Sequence, residues 1–190
     1  DKYIWQGVAS WLRKRLDQGL PVVPVSLNVS RVDILACDVA EHMGALAAQY
    51  SLPSELMRIE ITETAYTGES EAVDRLTAEL HNRGFSTYMD DFGTGQSTLA
   101  MLKNVNVDVI KLDRTFVPAG KADERSTQIV SSMLGMAQSL HLPVVVEGIE
   151  TEAQAQLLRQ MGARYAQGFL YYRPMPAADF EELLDSKVAD

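Results

Sequence analysis

Short apolar runs alternate with longer amphipathic stretches along this chain of 190 residues. This alternation is typical of βα units built around a parallel sheet. The predicted strands cover residues 22–29, 57–62, 85–90, 107–112, 144–147 and 165–169. The predicted helices cover residues 38–50, 70–83, 97–103, 124–141, 151–161 and 177–185. Thr151 with Gln154 predicts a capping box, and Gly84 and Gly162 lie where a helix is expected to end.

The first 18 residues have apolar side chains at helical spacing, and no strand precedes them. A (β/α)₈ barrel typically needs about 250 residues and eight strands. Six βα units and an opening helix therefore predict an α/β chain with a TIM-like (β/α) barrel that is incomplete at the N-terminus. Six of the eight strands are present in this interpretation, and we expect residues 1–190 to form one N-terminally truncated domain.

The composition excludes several classes of protein. A net charge of -9 argues against binding polymeric nucleic acid, which normally requires a basic surface. No apolar stretch approaches the roughly 20 residues of a membrane-spanning helix. Cys37 is the only cysteine, so no disulfide can form within the chain.

Polar residues stand near the end of every predicted strand, where parallel α/β folds place their chemistry. These residues are Asn28, Glu60, Asp90 with Asp91, Lys111, Glu147 and Gln167. Any one of them is explained by a helix cap or a turn. The set is different, because carboxylates within apolar strands are costly to bury unless they are paired or bind a metal.

Carboxylate and amide oxygens without clustered His or Cys favour Mg²⁺ or Mn²⁺. The three histidines, His42, His81 and His141, lie in or near predicted helices, so they do not suggest a softer metal. Adjacent aspartates allow Asp90 to bridge two ions while Asp91 binds only the second. Two ions roughly 4 Å apart suit the in-line displacement of a phosphodiester.

Lys111 would then provide a fixed positive charge beside the phosphoryl oxygens or the attacking water. The alternative is a buried lysine that only pairs with a strand-end acid. Residues 91–95, Asp-Phe-Gly-Thr-Gly, predict a flexible loop able to gate the site, although they match neither a Walker loop nor a dinucleotide-binding motif.

The motifs LNVS, EITET, DDFGTG, VIKLDRTFV, VVVEGIET and QGFLYYRPMP occur in this order along nearly the whole chain. Together they make the chain resemble the EAL domain of bacterial cyclic di-GMP phosphodiesterases. The resemblance implies that Asn28, Glu60 and Asp90 bind one metal ion, and that Asp90, Asp91 and Glu147 bind the second. Lys111 is expected to contact the nucleophilic water.

The same resemblance implies supporting roles for further residues. Glu63 is expected to brace the loop after Asp91, and Gln167 and Glu150 to support the site. Asp113 and the turn at Arg173 are expected near the nucleotide.

The implied reaction is hydrolysis of cyclic di-GMP to linear pGpG, with two Mg²⁺ or Mn²⁺ ions as cofactors. The implied partners are cyclic di-GMP and a second copy in a homodimer, with no polymeric nucleic acid. The resemblance also implies a parent protein fused to a diguanylate cyclase or sensor domain. We expect a cytoplasmic location, including the cytoplasmic part of a membrane-anchored protein.

Three features depart from the family pattern. The Glu-Ala-Leu motif and its following Arg are absent, and the resemblance makes that Glu a metal ligand. Gln96 replaces an aromatic residue, and Thr98 replaces a serine. Because the first metal would lose a carboxylate, we expect the isolated chain to be weakly active or inactive.

Alternative functions remain open. A catalytically silent receptor would bind cyclic di-GMP without cutting it, although it would have no chemical need for the full set of acids. A different barrel enzyme acting on carboxylate substrates would also use acids and a strand-end lysine. A purely structural domain would leave the acids unexplained.

Overall fold

The structure is a computed structural model that describes residues 1–68, 70–94, 106–118 and 123–188. Its strands are β1 (Val25–Val29), β2 (Met57–Thr62), β3 (Ser86–Phe92), β4 (Val109–Leu112), β5 (Val144–Val146) and β6 (Tyr165–Ala166). Its α-helices are α1 (Lys2–Asp17), α2 (Arg31–Ala36), α3 (Val39–Gln49), α4 (Glu63–Gly68), α5 (Ser70–Asn82), α6 (Glu124–Ser139), α7 (Glu152–Gln160) and α8 (Ala177–Val188). Short 3₁₀ turns cover Ser54–Leu56 and Arg114–Phe116. None of the described helices combines the length and apolar character needed to cross a membrane.

The six strands belong to one sheet in the order β1-β2-β3-β4-β5-β6, so neighbours in the chain are neighbours in the sheet. The pairs β3–β4, β4–β5 and β5–β6 are parallel. A parallel neighbour requires a crossover connection, which the intervening helices supply. The predicted α/β class and the six predicted strands are therefore confirmed.

Several element boundaries differ from the sequence predictions. β1 begins at Val25 rather than at residue 22, and Pro24 directly before it has no N–H to give to a sheet. β3 continues through both aspartates to Phe92 instead of ending at Asp90. The short helices α2 and α4 were not predicted, because six residues are too few to show a helical period in the apolar pattern. The predicted helix at 97–103 lies outside the described residues.

The chain divides into two compact units. Unit 1 comprises Asp1–Glu60, Glu71–Thr87 and Pro174–Asp190. The indole Nε1 of Trp5 donates a hydrogen bond to the backbone oxygen of Asn28 at 3.0 Å, which ties α1 to β1. Trp11 Nε1 donates to Glu181 Oε1 at 2.7 Å, and buried Arg15 pairs with Asp185. These two contacts fasten α8 to α1.

Unit 2 comprises Ile61–Ser70 and Tyr88–Arg173. Its core includes Ile110, Leu112, Val146, Ile149 and Leu158, each at most 2% exposed. The predicted capping box at the start of α7 is present, with reciprocal Thr151 and Gln154 contacts. These contacts satisfy backbone donors that the first turn of a helix otherwise leaves without partners.

Candidate active site

Three acids of unit 2 come together at the ends of neighbouring strands. Asp90 and Asp91 lie in β3, and Glu147 directly follows β5. One carboxylate oxygen from each of the three lies within 4.8 Å of the other two. Such a separation lets several oxygens face one small cation.

A break in strand register explains how two consecutive aspartates join one cluster. Met89 pairs with Ile110 and Phe92 pairs with Leu112, so Asp90 and Asp91 both stand opposite the single residue Lys111. This is a β-bulge, in which an extra residue increases the local twist and redirects a side chain. In a regular strand, adjacent side chains would point to opposite faces of the sheet.

The backbone of Asp91 contributes to the bulge. Its φ of 56° lies in the left-handed region, which aspartate tolerates better than most residues. The turn that follows is closed by Thr94, whose backbone N–H and hydroxyl both donate to the Asp91 carbonyl oxygen at 3.2 and 2.9 Å. The loop after Asp91 therefore begins in a defined conformation.

Lys111 lies at the centre of the acidic cluster. Its Nζ is 2.8 Å from Asp90 Oδ1 and 2.8 Å from Glu147 Oε1. The lysine side chain is 8% exposed, and the two partner acids are 14% and 16% exposed. One positive charge thus partly offsets the repulsion between carboxylates in a poorly solvated position. The ion pairs match the interpretation of Lys111 as a paired lysine, and its role beside the phosphoryl oxygens or the attacking water stays a prediction.

The segment around Glu147 packs closely against neighbouring chain at two glycines, Gly148 and Gly168. Gly148 has φ of 73°, and a Cβ added there would stand 2.2 Å from the Cβ of Arg114. Gly168 passes equally close to Ile149, since an added Cβ would be 2.1 Å from the Ile149 carbonyl oxygen. These glycines are required because no other residue leaves room for the neighbouring chain.

Asp113 caps the 3₁₀ turn that follows β4. Its Oδ1 accepts a hydrogen bond from the backbone N–H of Thr115 at 2.9 Å. Partial burial raises the pKa of Asp113. Hydrogen bonds from Thr115 and Arg114, together with the charge of Arg114, lower it by more than burial raises it, so the pKa of Asp113 lies below its ordinary value. The capping contact gives Asp113 a structural role, and its predicted place near a nucleotide stays a prediction.

Glu63, the first residue of α4, contacts the loop after Asp91. Its Oε2 accepts a hydrogen bond from the backbone N–H of Gly93 at 2.7 Å, and the Glu63 side chain is fully buried. Gly93 has φ of 97°, and the Phe116 ring lies so close that an added Cβ would be 2.4 Å from it. The start of the loop is therefore held by one carboxylate and one aromatic ring.

Asn28 and Glu60 belong to unit 1. Asn28 lies in β1 with an exposed side chain, and its backbone oxygen is the acceptor for Trp5. Glu60 lies in β2 and is 6% exposed. The cluster of three acids is formed within unit 2, and the assignment of Asn28 and Glu60 as ligands stays a prediction.

The remaining predicted residues lie on exposed segments of unit 2. Gln167 extends the sheet through its backbone, since its N–H donates to Val146 O at 2.9 Å and its carbonyl oxygen accepts from Ile149 N at 3.0 Å. Glu150 has an exposed side chain just before α7. The Arg173 guanidinium stacks 4.6 Å from the Phe169 ring centroid. None of these contacts tests the predicted supporting roles.

The donor set of the cluster fits a hard divalent cation. Asp90, Asp91 and Glu147 offer only carboxylate oxygens, and within the described part of the chain no His or Cys belongs to the group. Mg²⁺ and Mn²⁺ prefer such oxygens, whereas Zn²⁺ sites usually include nitrogen or sulfur. The presence of Lys111 is compatible with a bound cation, because three carboxylates carry more negative charge than one ammonium neutralises.

A parallel α/β sheet with clustered acids and a lysine at its strand ends is typical of TIM-like barrel domains, which collect their polar side chains at that edge. The EAL domain model matches residues 2–174. The chain therefore belongs to the EAL domain family.

Individual relatives agree with this membership. The chain is 36% identical over 182 residues to the cyclic di-GMP phosphodiesterase RocR of Pseudomonas aeruginosa, covering 95% of this chain and 46% of RocR. The solved EAL domain of Mycobacterium smegmatis DcpA is 30% identical with a TM-score of 0.89, over 97% of this chain and 83% of that one. The PaMucR phosphodiesterase in its c-di-GMP complex is 28% identical with a TM-score of 0.85, over 94% and 78%.

These similarities confirm the TIM-like barrel class, to which the described residues contribute six strands. The chain spans less than half the length of the curated relatives that it matches, including RocR at 46%. The bulge at Asp90–Asp91 was not predicted, and the adjacent aspartates were its only signal in the sequence. Pairing of Lys111 with a strand-end acid was one of the two interpretations of the sequence, and the structure adds that Lys111 pairs with two acids at once.

Proposed function

We propose that this chain is a metal-dependent phosphodiesterase domain that hydrolyses cyclic di-GMP to linear pGpG. The observation that carries the proposal is the cluster of Asp90, Asp91 and Glu147 around the buried Lys111. It occurs in a chain of the EAL family, and RocR, a named cyclic di-GMP phosphodiesterase, is similar over 95% of it.

The proposed cation ligands follow from the donor chemistry and the resemblance. Asp90, Asp91 and Glu147 would hold one Mg²⁺ or Mn²⁺, and Asn28 and Glu60 would join Asp90 around the other. Bound cations of this kind supply Lewis acidity to the attacking and leaving oxygens of a phosphodiester. The bulge supports the shared role of Asp90, because it brings adjacent carboxylates to one strand position.

Lys111 would act on the phosphodiester and on the nucleophilic water. Its ion pairs to Asp90 and Glu147 hold the ammonium in one place, so it needs no reorganisation when charge develops on a phosphoryl oxygen. From that position it would donate a hydrogen bond to the water and orient it for in-line attack. Glu63 would fix the loop that starts at Gly93.

Catalysis by these 190 residues alone is proposed to be weak. The sequence contains no Glu-Ala-Leu tripeptide, and the resemblance makes that Glu a cation ligand. One carboxylate fewer lowers the negative charge that holds a cation, and ligand charge count tunes the affinity of such sites.

The test is an assay with cyclic di-GMP and Mn²⁺, in which pGpG is separated by chromatography and quantified. The chain alone is compared with a version extended by a Glu-Ala-Leu strand and its following Arg. We expect little pGpG from the first, clear turnover from the second, and loss of turnover in Glu60→Gln and Asp90→Asn. No pGpG from either version, or full activity after Glu60→Gln, contradicts the proposal.

A catalytically silent cyclic di-GMP receptor is the second candidate, and the absent Glu-Ala-Leu motif favours it. A receptor needs the nucleotide-binding surface but not a complete set of cation ligands. Calorimetry separates the two, since tight binding of cyclic di-GMP in EDTA without any turnover supports the receptor. Binding that requires Mn²⁺ supports the enzyme.

The proposed setting is a longer bacterial signalling protein, since the chain spans 46% of RocR. A fusion to a diguanylate cyclase or sensor domain, a homodimer and a cytoplasmic position are proposed on the family resemblance. A net charge of -9 supports a small nucleotide rather than polymeric nucleic acid as the ligand. Sedimentation velocity of the purified chain tests the homodimer directly.

A further inference from the structure

A cavity lies in unit 2, away from the acidic cluster. Its volume is about 310 Å³. Val144 and Tyr165, the first residues of β5 and β6, are among the residues that line it. Glu147 follows the other end of β5, so the cavity lies at the opposite edge of the parallel sheet from the acids. The volume falls at the lower end of the range for small-molecule sites.

Part of the cavity lining is apolar. Leu134 of α6 is 7% exposed and lines it, together with Leu142 and the thioether of Met161. Methionine is flexible and polarizable, and its sulfur makes favourable contacts with aromatic rings. These apolar side chains favour an apolar or aromatic body over a sugar.

Polar side chains make up another part of the lining. Gln138, His141, Arg164 and Tyr165 line the cavity, and none of these four side chains makes a hydrogen bond or ion pair with the described part of the chain. The left-handed backbone of His141, with φ of 58°, turns the chain from α6 toward β5 beside the cavity. Hydrogen-bonding capacity therefore remains available in the cavity lining.

The charge of the cavity lining is unusual for this protein. The chain carries 26 acidic and 17 basic residues, yet no Asp or Glu is among the described residues that line the cavity. Arg164 is a planar guanidinium able to bind a carboxylate or phosphate through two parallel hydrogen bonds. An anion is thus accommodated here without nearby repulsion from a carboxylate of the lining.

From this arrangement we propose that the cavity binds a small aromatic molecule with one anionic group. Its ring would lie on Leu134 and Met161, and its carboxylate or phosphate would face Arg164. The site goes beyond the proposed phosphodiesterase function and uses none of the residues assigned to it. A ligand here would contact the beginnings of β5 and β6, whose opposite ends lead into Glu147 and Gln167.

The test uses 2-naphthoate as the probe and neutral 2-naphthamide as its matched partner, with the whole 190-residue chain. Binding is measured by calorimetry and by the ¹³C-methyl NMR signal of Met161, which is identified by its loss in Met161→Leu. We expect 2-naphthoate to shift the Met161 signal and to bind at least about tenfold more tightly than 2-naphthamide.

Arg164→Gln should weaken 2-naphthoate binding about tenfold and leave 2-naphthamide unchanged. Arg159→Gln is the matched control, since Arg159 is an exposed arginine of α7 outside the cavity lining and should change neither affinity. Equal affinity for the two probes, no Met161 shift, or an unchanged affinity in Arg164→Gln overturns the proposal. The comparison of probes requires no variant, so it decides the matter even if Arg164→Gln does not fold.

Discussion

The ammonium of Lys111 and the carboxylate of Glu147 form an ion pair with a 2.8 Å Nζ–Oε1 distance, across the parallel pair β4–β5. The same ammonium is 2.8 Å from Asp90, on the other neighbouring strand. One lysine therefore links the ends of three adjacent strands. Its charge makes the carboxylate cluster tolerable in the folded chain.

Replacing Lys111 with Met should destabilise the chain, because Asp90 and Glu147 would lose their shared counter-charge. The expected cost is roughly 2 kcal/mol, below that of breaking a fully buried pair because both acids keep some solvent contact. Urea unfolding without divalent cations measures it. Lys14→Met, at an exposed position of α1, is the control and should cost less than about 0.5 kcal/mol. Equal stability of the two variants would show that the Lys111 pairs contribute nothing.

Asp91→Asn should weaken Mn²⁺ binding about tenfold or more, because it removes a carboxylate charge from the proposed ligand set. Asparagine has nearly the same shape and also tolerates the left-handed backbone found at Asp91, so the fold should be kept. Titration of Mn²⁺ by calorimetry or electron paramagnetic resonance gives the affinity. Asp179→Asn, at an exposed position of α8, is the control and should bind Mn²⁺ as the wild type does. An unchanged affinity in Asp91→Asn removes Asp91 from the site.

Gly148→Ala should be much more disruptive than Gly162→Ala. Both glycines have positive φ, but an added Cβ at 148 meets Arg114 at 2.2 Å, whereas at 162 nothing lies within 4 Å. The second change should cost about 1 kcal/mol for the left-handed backbone alone. The first should cost at least about 2 kcal/mol more, because Arg114 and residue 148 must move apart. Thermal unfolding of the two variants side by side tests the difference, and equal melting temperatures would contradict the close approach.

Asp113 should make stability depend on pH. Its folded-state pKa is lowered, so its contribution is complete above the unfolded-state pKa and is lost as the pH falls through the folded-state pKa. Asp113→Asn should therefore reduce stability near neutral pH and narrow its gap to the wild type under acidic conditions. Urea unfolding across a pH series measures this gap. If the difference in unfolding free energy between Asp113→Asn and the wild type stayed constant with pH, the turn would not stabilise the charged form of Asp113.

Sequence patterns alone predicted the α/β class, the six strands and the strand-end acids. They succeeded because the strands are apolar runs bounded by helix signals, as at Met57–Thr62, which was predicted without error. The predicted limits of β1 and β3 were wrong, because the backbone at these positions decides where a strand begins or ends. Pro24 removes a donor before β1, and the bulge carries β3 past Asp90 to Phe92.

The order of polar residues along the chain determined that carboxylates and one lysine would stand at strand ends, since parallel strands place those ends on one edge. Only the tertiary structure decided which of them meet. The register break at Asp90–Asp91 and the positive φ of Asp91 depend on pairing with β4, and no local pattern encodes a pairing between distant segments. The contacts of Lys111 with Asp90 and Glu147 likewise exist only once three strands are aligned side by side.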